Sequence, residues 1–151
     1  MSKLFEKAIA TRLTDFDIEN SLLSVNQFGF GTSGTSTIDA ITKLTEFIYD
    51  STNRKSHTLC LFLDLKKAFD TVDHQILLNK LKLYGARGLP NVLIGDYLTN
   101  RMQRVRVNGV FSSHSPVSMG VPQGSILGLL LFLFYINDLP KVSHVLYLLV
   151  R

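Results

Sequence analysis

The chain has 151 residues, enough for one domain with a buried core. Its hydrophobic content of 46% and charged content of 19% are globular values and exclude a disordered or fibrous chain. A formal net charge of +4 permits a polyanionic partner without demanding one.

Leu4, Phe5, Ala8, Ile9, Leu13 and Phe16 recur at helical spacing, with Glu6, Lys7 and Arg12 between them. Residues 3 to about 19 therefore read as an amphipathic helix. This charged start is unlike a secretory leader, and the single cysteine suits a reducing compartment. The expectation from both is a place inside the cell, in nucleus or cytoplasm. Asn26 to Thr37, NQFGFGTSGTST, is loop chemistry. Gly29, Gly31 and Gly34 match G-x-G-x-x-G, but a dinucleotide cradle needs a strand just before it, and Ser21 to Gln27 is a poor strand. Ser36 and Asp39 form a capping-box pattern. Ile38, Ile41, Leu44 and Ile48 then line one face of a helix to about Asp50, and Ser51 to His57 is a polar turn.

Leu59 to Leu63 is an unbroken apolar run without Gly or Pro, which predicts a strand buried on both faces with Cys60 inside it. The run meets Asp64, and Lys66, Lys67, Asp70 and Asp73 follow, so the chain leaves the core there. A carboxylate at the mouth of a buried strand is costly unless paired or cation-bound. Asp64 reads either as a strand end or as a rigidly held ligand for a metal or substrate. Asp70 and Asp73 read as turn and cap, with an Asp73–His74 base dyad as the alternative. A helix follows to about Tyr84, where Gly85 stops it, and Pro90 opens a short helix over Asn91 to Leu98.

Arg101 to Val107 alternates, meets Asn108-Gly109, then Val110-Phe111, the pattern of a β-hairpin. Arg101, Arg104 and Arg106 give it a basic surface, read as a solvated face or a phosphate-backbone contact. In Ser118 to Leu127, Gly120 and Gly124 flank Pro122-Gln123 where a loop enters a helix. Glycine permits close backbone approach, helix-start N–H groups attract phosphate, and Gln123 both donates and accepts. An ordinary turn is the alternative. Ile126 to Ile136 is too short to span a bilayer, so no membrane partner is expected. Val145 to Val150 reads as a last buried strand.

The string Phe62 to Asp73, FLDLKKAFDTVD, resembles the first catalytic motif of reverse transcriptases, with the closest likeness to the LINE-type enzymes of non-LTR retrotransposons. Gln27-Phe28-Gly29-Phe30 is similar to that family's fingers motif. Gly120-Val121-Pro122-Gln123-Gly124-Ser125 resembles its second palm motif, and Tyr135 to Pro140 matches the continuation. Two positions depart from the pattern: Gly31 stands where members usually carry arginine, and Leu129 where proline is common. The resemblance spans nearly the whole chain. It implies an α+β fold over residues 1–151: partial polymerase fingers and palm, a small antiparallel palm sheet packed with helices, and a β-hairpin. Leu59 to Asp64 would be the central palm strand, with Val145 to Val150 beside it.

The resemblance also implies the chemistry of an RNA-directed DNA polymerase. Its partners would be an RNA template with a DNA primer, or an RNA–DNA hybrid, and a dNTP. Two Mg²⁺ ions, with Mn²⁺ as an alternative, would support in-line transfer. Asp64 matches the first metal carboxylate, and the Leu65 peptide carbonyl resembles a second metal ligand. Phe69 matches the residue that crowds the sugar 2′-carbon, and Gln123 and Gly124 match nucleotide-pocket residues. Arg101, Arg104 and Arg106 would meet nucleic acid. The sequence has no Asp-Asp pair and no acid after Asp138, so the chain by itself is expected to lack the second carboxylate pair, the third palm motif and a thumb, and to be inactive. Two other readings stand beside the enzyme: a non-catalytic remnant binding RNA or an RNA–DNA hybrid, and a retroelement relic without function.

Overall fold

The computed structural model describes residues 3–29, 34–141 and 148–150. In chain order the described elements are α1 (Lys3–Asn20), β1 (Gln27–Phe28), α2 (Thr37–Asn53), α3 (His74–Tyr84), α4 (Leu89–Leu98), β2 (Met102–Gln103), β3 (Arg106–Val107), β4 (Val110–Phe111), β5 (Ser115–Pro116), α5 (Ile126–Ile136) and β6 (Leu149–Val150). The mixture of helices with small antiparallel pairs agrees with the α+β expectation.

The core forms around α5. Its sequence, ILGLLLFLFYI, is apolar on every side, and such a helix is stable only when surrounded. Helices α1 and α3 pack against it, and α4 packs on α3. Leu77, Leu81, Leu98, Leu127, Leu131 and Phe134 lose all contact with solvent. The helix ends follow from their residues. Ser36 and Asp39 close the capping box of α2, and the Asp73 carboxylate accepts the Ile76 N–H at the start of α3. Gly85, at φ 106°, ends α3 in the left-handed region. The Ala86 N–H there reaches back to the Leu81 carbonyl at 2.9 Å and the Gly85 N–H to Lys82 at 3.2 Å.

A buried polar hub fixes the loop after α1 to the end of α5. The Asn137 side-chain oxygen accepts from the Ser24 N–H at 2.7 Å and the Gln27 amide at 2.9 Å. Its NH₂ donates to the Leu22 carbonyl at 2.8 Å and lies 3.2 Å from the Tyr84 hydroxyl. Asn137 belongs to the string Tyr135 to Pro140, which the sequence marked only as a motif continuation. The structure gives it a packing role.

The hairpin is present and is longer than its two central strands. Val107 pairs with Val110 around Asn108 and Gly109, both at positive φ, the type I′ geometry that Asn-Gly favours. Beyond it, β2 and β5 continue the ribbon with Gln103 opposite Ser115. Residues 112–114 oppose only 104–105 between the two pairs, so the returning side carries a bulge.

Two expectations fail. Leu59 to Leu63 is not a buried strand: residues 56–65 join no strand pair, Leu59 is 97% exposed, Phe62 82%, and Cys60 is exposed too. Nor does the last strand lie beside it. β6 pairs in parallel with β1, Gln27 opposite Leu149 and Phe28 opposite Val150, while 142–147 lie outside the described residues. The antiparallel palm sheet expected around Leu59 to Asp64 is therefore not formed among the described residues. A doubly buried strand needs neighbours for its backbone and cover for both faces, and the described residues supply neither. The apolar face of α2 behaves likewise: Ile38, Ile41 and Ile48 are exposed and Ala40 alone is buried on that helix. That helix also runs past Asp50 to Asn53, into the stretch read as a turn.

The hub predicts a measurable cost. Asn137→Ala would leave the Ser24 N–H and the Gln27 amide short of their acceptor in a buried place. The expected loss is about 2–4 kcal/mol of unfolding free energy by urea titration, the scale for several orphaned groups. A loss below about 0.5 kcal/mol would show that water replaces these bonds.

Candidate functional site

The two motif strings meet backbone to backbone. After Asp64 the chain turns over residues 66–71, with the Asp70 N–H on the Lys67 carbonyl at 2.8 Å. The loop before α5 lies directly on this turn. The Gly120 N–H donates to the Val72 carbonyl at 2.8 Å, and the Val121 N–H to the Phe69 carbonyl at 2.8 Å. Gly120 sits at φ +85°, and a Cβ there would stand 2.8 Å from the Asp70 Cα and 2.9 Å from the Phe69 and Asp70 carbonyl oxygens. No side chain fits between the two backbones.

Side chains tighten the junction. The Gln123 amide donates to Asp70 Oδ1 at 3.0 Å, on the exposed side. On the buried side His74 Nε2 lies 2.8 Å from the Gly120 carbonyl. A carbonyl only accepts, so this nitrogen carries the proton. Arg101 Nη1 approaches the same carbonyl at 3.4 Å. The Phe69 ring is half-buried and packs on Phe132 of α5, centroids 4.8 Å apart.

The predicted site residues thus divide. Phe69 and Gln123 come to one junction. Gly124 follows in the same loop at φ +75°, with open space where a Cβ would point. Asp64 and Leu65 lie exposed on the irregular segment before the turn, and no described hydrogen bond ties Asp64 to the loop. Gly31 lies outside the described residues. Asp73 caps α3, as expected, and forms no dyad with His74, whose described partner is Gly120. The sequence missed two participants, Asp70 as the partner of Gln123 and His74 as the partner of Gly120. The Asp73–His74 pair was the only local signal for the second.

A third network holds the loop's far end. The Tyr97 hydroxyl lies 3.0 Å from Glu6 Oε1 and 2.8 Å from Ser125 Oγ. A carboxylate only accepts, so the phenol donates to Glu6. Ser125 in turn accepts the Gly128 N–H at 2.8 Å as the cap of α5. Burial pushes the Tyr97 phenol up to about 12; the Ser125 contact opposes the rise and Glu6 adds to it. A neighbouring cleft of about 310 Å³, lined by Glu6, Asp96, Tyr97, Arg101 and Pro122, includes none of Asp64, Phe69 or Gln123.

The donors offered to a divalent ion are few. Asp64 and the Leu65 carbonyl are oxygen ligands of the kind Mg²⁺ takes. Among the described residues, no three His, Cys, Asp or Glu side chains gather closely enough to hold a metal. A two-ion centre does not fit the described residues.

Two tests follow from this geometry. Gly109→Ala and Gly120→Ala both place Ala at positive φ, a strain of about 1–2 kcal/mol. Gly109 has open space around the added Cβ, whereas Gly120 meets backbone, so Gly120→Ala should cost clearly more in thermal unfolding. Equal costs would contradict the close approach. The raised Tyr97 pKa means that the folded chain holds this proton more tightly than the unfolded one. That stabilisation is complete below about pH 10 and lost between about 10 and 12. Tyr97→Phe should flatten the alkaline unfolding profile in that window, and an unchanged profile would assign the loss to other groups.

Residues 1–147 match the family model described as "Reverse transcriptase (RNA-dependent DNA polymerase)". Among curated proteins, the chain is 39% identical over 140 residues to the "Probable RNA-directed DNA polymerase from transposon BS" of Drosophila melanogaster, covering 93% of this chain and 15% of that protein. It is 35% identical over 150 residues to the "Probable RNA-directed DNA polymerase from transposon X-element" of the same species, covering 97% and 16%. Identity to the "RNA-directed DNA polymerase from mobile element jockey" is 31% over 145 residues, covering 96% and 16%. The chain thus spans 15–16% of the length of these relatives.

Proposed function

This chain belongs to the reverse transcriptase family, among its LINE-type, non-LTR retrotransposon members, and from that premise we propose that it is a fingers–palm portion of an RNA-directed DNA polymerase. Its substrates would be dNTPs, added to a DNA primer on an RNA template. The observation that carries the reading is the junction of the two motif strings, where the Phe69 carbonyl accepts the Val121 N–H at 2.8 Å and Asp70 accepts from Gln123 at 3.0 Å.

In this reading each residue has a limited task. The turn at 66–71 and the Gly120 loop hold Phe69 and Gln123 at a fixed separation, so that a nucleotide between them would meet a positioned amide. Phe69 backs the sugar and Gln123 and Gly124 line the pocket. Asp64 and the Leu65 carbonyl are the residues that would face Mg²⁺, or Mn²⁺ in its place. The family's divalent-ion chemistry requires more carboxylates than the described residues bring together. Arg101, Arg104 and Arg106 would meet template or hybrid phosphates. That last contact needs no metal. It is what remains under the second reading, a binding module without catalysis, which the absence of an acidic cluster among the described residues favours for this chain by itself.

Primer extension tests the proposal. The 151-residue chain with Mg²⁺, dNTPs and a primed RNA template should give no extension. A chimaera carrying residues 1–147 in place of the matching segment of the X-element polymerase should extend the primer, and Asp64→Ala in that chimaera should abolish extension. A folded chimaera that is inactive would sink the polymerase assignment, and an Asp64→Ala chimaera that still extends would remove Asp64 from the site.

A further inference from the structure

The three arginines of the ribbon do not form one surface. Arg101 stands at its base, half-buried, with Nη1 directed to the Gly120 carbonyl. Arg104 and Arg106 stand near its tip, exposed, and both guanidiniums lie over the ring of Phe111, at 4.0 and 5.3 Å from its centroid. Arg106 is the cross-strand partner of Phe111, so ring and cations share one face of the ribbon. The next pair, Val107 and Val110, points to the other face and is exposed as well.

Charge around this tip is one-sided. The sequence holds no Asp or Glu between Asp96 and Asp138, so the ribbon offers its arginines no carboxylate of its own. A guanidinium lying over a ring is restrained in position, while its N–H groups lie in its own plane and point past the ring edge. That arrangement suits bidentate donation to phosphate oxygens. It also covers the ring face beneath Arg104, which argues against Phe111 as a stacking platform for a base.

We propose that Phe111 is a positioning residue for a nucleic-acid backbone contact: its ring holds the Arg104 and Arg106 guanidiniums in place to receive the phosphates of an RNA strand. The proposal rests on the polymerase reading above for its choice of polyanion. An anionic bilayer would take the Val107–Val110 face, and the guanidiniums would then point away from the headgroups. Nucleic acid takes the arginine face directly. A preset pair of arginines loses less side-chain freedom on binding, so Phe111 acts on affinity while the arginines set the number of phosphates engaged.

Binding of the 151-residue chain to a labelled single-stranded RNA, titrated between 50 and 200 mM salt, separates these roles. Arg104→Ala with Arg106→Ala should flatten the log–log salt slope by about 1.4, near 0.7 for each phosphate of a single strand. Phe111→Leu keeps apolar bulk opposite Arg106 but removes the ring. It should weaken binding about five- to tenfold with the slope unchanged, the scale of a lost cation–π restraint on two arginines. Phe111→Tyr restores a ring and should bind within about twofold of the parent, as cation–π contact tolerates either ring. The amide resonances of Asn108 and Gly109 report whether each variant keeps the turn. Phe111→Leu binding like the parent, or Phe111→Tyr binding like Phe111→Leu with the turn intact, would overturn the role of the ring alone. A parent chain without salt-dependent RNA binding would overturn the nucleic-acid contact beneath it. Preferential sedimentation with phosphatidylserine vesicles would assign the ribbon to a lipid surface and overturn the proposal.

Discussion

Everything near the motif strings depends on a contact between two stretches of bare backbone. Gly120 and Val121 donate to Val72 and Phe69, and Gly120 has no side chain because there is no room for one. The constraint spreads in both directions along the chain. Asp73 and His74 begin α3 directly after Val72, and Ser125 caps α5 on the other side. The two helices that pack together in the core are therefore launched from one junction. His74 closes it from beneath, with its Nε2 proton on the Gly120 carbonyl. An error of position at Gly120 would be felt by both helices at once.

The fold was legible where a residue acts on its own neighbours. Ser36 with Asp39, Asp73, Gly85 and Asn108-Gly109 each satisfy a local backbone demand, and each does what its type dictates. Leu59 to Leu63 and the isoleucine face of α2 misled for the opposite reason. An apolar run states what the residues would prefer to bury against; it does not supply the partner. Both segments stand exposed among the described residues although their composition asks for cover. The pairing of β6 with β1 was equally hidden, since two-residue strands leave no periodicity to read.

The site was legible as residues and not as geometry. The strings FLDLKKAFDTVD and GVPQGS point to the family, and the family match over residues 1–147 agrees. What they do not encode is that Gln123 would take Asp70 as its partner, or that Arg101 would part from Arg104 and Arg106. These are contacts across 53 residues in one case and across a bulge in the other. Their register is set by packing of α5 and by the extra residue in the returning side of the ribbon.

The exposed stretch from Leu59 to Leu65 has a consequence for how this chain behaves in company. It is apolar but for Asp64, exposed, free of Gly and Pro, and in no strand pair among the described residues. To a second molecule such a segment is a template for in-register stacking, the geometry from which cross-β aggregates grow. Asp64, Lys66 and Lys67 then act as gatekeepers. Stacked copies would bring like charges together at spacings of about 4.8 Å, a repulsion set against the gain from the leucines and phenylalanine beside them. The same short run of charges that marks the end of the apolar stretch therefore bears on whether the chain stays dispersed.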